Sequence, residues 1–93
     1  MKLFLISQSV QSDYDTYDSA VVAATDEEAA RQIHPGDESY IYSKGRWWYR
    51  DYTGTLYESC PYDWAASAKD VQVEYLGVTN REAGIVLASF NAG

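Results

Sequence analysis

Residues Lys2 to Ser9 read Lys-Leu-Phe-Leu-Ile-Ser-Gln-Ser, a run that carries apolar weight on both faces of an extended chain. Phe4 and Ile6 point one way and Leu3 and Leu5 the other, because successive strand side chains alternate. Such a run suits a central strand, with neighbours on both sides. Ninety-three residues leave room for one core only, so residues 1–93 are expected to form a single domain around that strand.

The rest of the chain divides into short elements. Tyr17 to Ala24, centred on Val21 and Val22, predicts a second strand. Thr25 and Glu28 form an S/T-x-x-E capping box, with Asp26 and Glu27 where a helix dipole favours anions. Ala29, Ala30 and Ile33 supply a narrow apolar stripe, and His34-Pro35-Gly36 ends it, so a helix is expected over about residues 26–33. Tyr40-Ile41-Tyr42 and Arg46 to Arg50 predict two strands joined at Lys44-Gly45. Leu56 to Tyr62 reads as irregular or a short strand, and Pro61 as the start of a helical turn through Trp64 and Ala66. Val71 to Val78 alternates as a half-buried strand, Thr79 to Gly84 reads as a hairpin loop, and Ile85, Val86 and Leu87 open a last strand. The expected class is α+β: a mostly antiparallel sheet of five to six strands with the helix on one face. The first, second and last strands are placed at its centre.

Charge is distributed unevenly over this framework. Asp13, Asp15, Asp18, Asp26, Glu27, Glu28, Asp37 and Glu38 face a single cation, Arg31, so residues 13–38 carry the entire formal net charge of −7. A lopsided field over a small molecule selects partners. Catalytic and metal signatures do not accompany it. Counted from Asp13, a calcium loop needs glycine sixth and glutamate twelfth, and the chain has Asp18 and Ala24. One histidine and one cysteine are too few for a protein-only structural zinc site. Ser7, Ser9 and Ser59 have no G-x-S-x-G elbow, and no glycine-rich phosphate loop is present. His34 reads as a helix C-terminal residue rather than a general base. The residues thus point to a binding protein, not an enzyme, with no cofactor.

Cys60 has no partner for an internal disulfide and no adjacent cation to lower its pKa, which fits a packing role in a reducing cytosol. The apolar start ends too soon for a signal segment, and no stretch approaches the ~18 apolar residues of a spanning helix. The expected setting is cytoplasmic, with no membrane contact.

Aromatic residues offer a second surface. Tyr14, Tyr17, Trp48, Tyr52, Tyr57, Tyr62 and Trp64 are the candidate anchors, since Trp, Tyr and Arg dominate binding hot spots. Arg46-Trp47-Trp48-Tyr49-Arg50 also has the mixture that stacks on bases and holds phosphate. On a strand, however, Trp47 and Tyr49 turn one way, leaving Trp48 between two arginines on the other. At a net charge of −7, general attraction to a polyanion is poor, so direct nucleic-acid binding is not expected.

The start Met-Lys-Leu-Phe-Leu-Ile-Ser-Gln, the stretch Tyr17 to Pro35 and the ending Ile85-Val86-Leu87-Ala88-Ser89-Phe90 resemble the small acidic proteins that bacteriophages encode. The resemblance implies an anti-CRISPR or counter-defence inhibitor of the host cytosol. Several such inhibitors block a basic nucleic-acid channel with carboxylates. The implied partner is a bacterial defence protein or ribonucleoprotein complex with a basic surface, bound by a monomer or weak dimer. The competing reading is an interaction or phage assembly subunit that docks through its aromatic residues.

Overall fold

The computed structural model describes residues 1–11 and 15–91. The apolar strand runs as β1 (Lys2–Ser7), and β2 (Thr16–Ala24) returns beside it. One helical turn, α1 (Glu27–Ala30), follows. A hairpin of β3 (Tyr40–Ser43) and β4 (Arg46–Arg50) is joined by β5 (Leu56–Glu58). A 3₁₀ turn, Ala68–Asp70, leads into β6 (Gln72–Val78) and then β7 (Gly84–Asn91).

These strands make two antiparallel sheets, ordered β6-β1-β2-β7 and β3-β4-β5. The expected single sheet of five to six strands is therefore corrected to a sheet of four and a sheet of three. Seven short strands split because the Tyr40–Glu58 segment pairs only within itself. β1 and β2 are central, as their two-faced apolar patterns require. The last strand is not central: it pairs with β2 along the sheet edge. β6 and β7 flank opposite sides of the sheet, so residues 79–83 cross its end rather than form a hairpin. The crossing is tied down where the Thr79 amide donates to the Met1 carbonyl at 2.9 Å.

The expected eight-residue helix is four residues long. Its N-cap is Asp26, not Thr25: the Asp26 carboxylate accepts from the Ala29 amide at 2.8 Å. One capped turn suffices because tertiary packing, not propensity, holds a helix this short. Ala30 is fully buried against the sheet, where its small side chain allows close approach. The expected turn through Trp64 and Ala66 forms instead at Ala68–Asp70.

Lys44 and Gly45 join β3 to β4 with φ of 57° and 77°. Two consecutive positive φ values are what a two-residue hairpin needs for its twist to match the strands.

The core lies on one face of the larger sheet. Phe4, Ile6, Ala20, Val22 and Ala24 supply its floor, and Ala30, Trp47, Trp64, Ala65 and Val71 close it from above. Trp47 comes from the smaller sheet, and its indole N–H donates to the Ala65 carbonyl at 3.0 Å inside the core. No helix among the described residues is long and apolar enough to cross a membrane.

Candidate functional site

The chain immediately after α1 is fixed by a buried histidine. His34 is 3 % exposed. Its Nδ1 accepts two backbone N–H groups, from Gly36 at 3.1 Å and Asp37 at 3.0 Å, and is therefore unprotonated. The proton sits on Nε2, which donates to the Asp63 carboxylate at 2.8 Å. Tyr40 stacks on the ring at 4.6 Å, and Tyr17 and Trp47 make T-shaped contacts with it at 5.9 Å. The Tyr17 amide donates to the Asp63 carbonyl at 2.9 Å. This cluster joins β2, β3, β4 and the 59–65 segment. The expectation of a dipole-favoured helix-end histidine is corrected: the helix stops at Ala30, and both ring nitrogens are committed to structural hydrogen bonds.

Gly36 is required here. A Cβ at that position would collide with the Tyr17 ring. The same crowding affects the phenols. Burial first, then the Asp63 and Asp37 carboxylates, push the Tyr17 hydroxyl above its ordinary pKa. Burial likewise raises Tyr40, partly offset by a hydrogen bond with the Ser59 side chain.

Seven of the eight candidate carboxylates project from exposed turns or element ends around this hub; Asp13 lies outside the described residues. Asp15 and Asp18 stand at the start of β2, and Asp26, Glu27 and Glu28 beyond its far end. At 3.3 Å per residue, the eight residues from Asp18 to Asp26 span roughly 25 Å. Asp37 and Glu38 lie beside the hub, on the rim of a shallow cleft of about 350 Å³ floored by Ile33, His34 and Tyr40. The carboxylates are thus strung out rather than gathered into one patch.

Arg31 offsets only the two glutamates of α1. Its guanidinium meets Glu27 at 2.9 Å and Glu28 at 3.2 Å and donates to the Val71 carbonyl at 2.9 Å. The half-buried guanidinium thus holds the α1 glutamates and ties the end of the helix to Val71, just before β6. Asp26 caps the helix, and the Asp37 carboxylate accepts from the Ser39 amide at 2.8 Å, so both are held in place.

Positive charge gathers elsewhere. Arg46, Trp48 and Arg50 share the outward face of β4, with Lys44 on the adjacent turn, three of the seven Lys and Arg residues of the chain. Trp48 sits opposite Ile41 and Glu58 in the strand register, and its indole N–H donates to the Ser43 carbonyl at 3.0 Å. Arg46 pairs with Glu58 at 3.0 Å. At the β4–β5 turn, the Thr53 hydroxyl and the Thr53 and Thr55 amides hold the Asp51 carboxylate below its ordinary pKa.

The aromatic candidates separate by burial. Tyr52 is wholly exposed, and Tyr57 and Tyr62 are more than half exposed. Trp48 and Tyr17 are half-buried. Trp64 is fully buried and belongs to the core, so it is not a surface anchor. Tyr14 lies outside the described residues. Sequence reasoning missed Asp63 and Gly36 as members of the hub. The local signal was slight: a lone carboxylate before Trp64, and a glycine after a proline.

Comparison with protein-family models, with curated proteins and with solved structures finds no match. Groups of three or more His, Cys, Asp or Glu arranged to hold a metal ion are absent among the described residues.

Proposed function

We propose that the protein is a non-enzymatic inhibitor of the phage counter-defence type. It acts in the host cytosol by occupying the basic, nucleic-acid-binding surface of a bacterial defence complex. One observation carries this reading: Arg31, the one cation of residues 15–38, is taken up by Glu27, Glu28 and the Val71 carbonyl, which leaves Asp15, Asp18, Asp26, Asp37 and Glu38 with no basic residue of their own in the segment. Spacing over roughly 25 Å suits a long basic channel better than a point contact, since duplex DNA offers about one charge per 1.7 Å of axis. Capped or hydrogen-bonded carboxylates such as Asp26 and Asp37 cost less ordering on binding.

A second reading is favoured by the exposure of Tyr52, Tyr57 and Tyr62 together with Trp48, all placed on or near the smaller sheet. There the aromatic residues anchor the partner, and the acidity serves solubility alone. Salt separates the two. Acid-driven binding weakens steeply as ionic strength rises, whereas aromatic binding does not. The test is binding to guide-loaded defence complexes across a salt series, with Asp18→Lys and Tyr52→Ala variants. Loss in Asp18→Lys supports the acidic reading, and loss in Tyr52→Ala alone supports the aromatic one.

A further inference from the structure

The outward face of the smaller sheet runs against the charge of the chain. Cross-strand neighbours share a face, and the register sets Ile41 and Glu58 beside Trp48, and Leu56 beside Arg50. Ile41, Trp48 and Leu56, with Lys44 at one end, line an apolar groove of about 320 Å³, at the low end of ligand-pocket size. Lys44, Arg46 and Arg50 stand exposed around it. Arg46 pairs with Glu58, while Lys44 and Arg50 make no ion pair among the described residues. The Asp51 carboxylate is held in its own turn by Thr53 and Thr55. Three cations around an apolar groove, against one carboxylate, make a positive face on a chain of net charge −7.

We infer that this face docks an extended acidic segment of a protein partner, in which two carboxylates flank one large apolar side chain at alternate positions. Charge complementarity sets the sign of the occupant. Charges act over about 8 Å at physiological ionic strength, so an arriving ligand responds to the cations of the face more than to distant carboxylates. Geometry sets the spacing. Arg46, Trp48 and Arg50 recur every second residue, roughly 7 Å apart. A peptide laid extended along β4 repeats with the same period, so its alternate side chains meet Arg46, the groove and Arg50 in turn. Aliphatic walls from Ile41 and Leu56 select an apolar residue for the middle position. A nucleic-acid strand fits less well. The Trp48 ring is half-buried and its N–H already donates to the Ser43 carbonyl, which leaves little of it for a base to stack on. A polyanion also meets the repulsion of the whole chain at every phosphate, where the peptide brings only two charges. This face uses none of the carboxylates of residues 15–38, so peptide docking and the occupation of a basic channel succeed or fail separately.

The test is fluorescence anisotropy of an N-terminally labelled, C-terminally amidated heptapeptide, Thr-Glu-Thr-Leu-Thr-Glu-Thr, titrated with the purified chain. Saturable binding is expected, and it weakens as salt rises. Replacing the leucine of the peptide by threonine lowers the affinity about tenfold. Arg50→Glu, at an exposed and unpaired position that leaves the far-ultraviolet spectrum unchanged, lowers it about fivefold or more. The order Thr-Thr-Glu-Glu-Leu-Thr-Thr, of the same composition, binds more weakly because its carboxylates no longer flank the leucine. Any of four results overturns the inference: no binding of the alternating peptide, equal binding of the two orders, binding indifferent to Arg50→Glu, or tighter binding of a labelled thymidine heptanucleotide. The last would make the face a nucleic-acid platform instead.

Discussion

His34 and Asp63, 29 positions apart in the chain, meet through a single 2.8 Å hydrogen bond with the proton on His34 Nε2. That bond joins the turn after α1 to the segment beneath the smaller sheet, and it orients a ring on which Tyr17, Tyr40 and Trp47 converge. The outward carboxylates Asp37 and Glu38 take their positions from the same turn, so the hub links folding to the charged surface.

Asp63→Ala leaves the Nε2 donor buried without its acceptor and is expected to cost about 2–3 kcal/mol. Asp63→Asn keeps an oxygen that accepts the same proton and should cost about 1 kcal/mol or less. Urea unfolding followed by tryptophan fluorescence measures both. Equal losses in the two variants would show that the hydrogen bond is not what the carboxylate contributes.

The two buried tryptophans should respond differently to replacement by phenylalanine. Trp47→Phe orphans the Ala65 carbonyl, whereas the Trp64 indole N–H has no partner among the described residues. Volume loss is the same in both, so Trp47→Phe is expected to be the more destabilising by about 1 kcal/mol. The difference in urea midpoint at constant slope reads it directly.

Alkaline pH should destabilise the fold. The folded state holds the Tyr17 and Tyr40 protons above the ordinary phenol pKa of 10.0. Between that value and the raised ones the unfolded chain binds fewer protons, so stability falls as pH rises; below it these groups contribute their full, constant share. Thermal midpoints should therefore be flat toward neutrality from these groups and decline above about pH 10. Tyrosinate absorbance should show two late-titrating phenols, which move toward the ordinary value in Asp63→Asn because a neighbouring negative charge is gone.

Much of the framework was legible because it is written locally. Apolar and aromatic runs placed β1, β2 and β4, alternation placed β6, and Lys44-Gly45 marked a hairpin whose positive φ values the structure contains. What failed depends on long-range pairing. Nothing in Ile85-Val86-Leu87 says whether a strand apolar on both sides lies inside a sheet or at an edge beside an uncovered face. Nothing around Thr79 says that the next strand lies three positions away, at the opposite edge of the sheet. Trp64 is buried in a core that also takes Trp47 from the other sheet, a meeting that no local pattern shows. The carboxylates themselves were plain in the sequence; their spread along β2 was a matter of the strand standing extended between them.

The most direct test of the account is displacement of DNA from guide-loaded CRISPR effector complexes by the purified protein. Asp15→Asn/Asp18→Lys serves as the comparison, because asparagine keeps the tolerance for positive φ that Asp15 needs at 62°. The account predicts displacement by the natural chain that fades as salt rises and falls about tenfold or more in the variant. Equal displacement by both proteins at every salt concentration, or none by either, would contradict it.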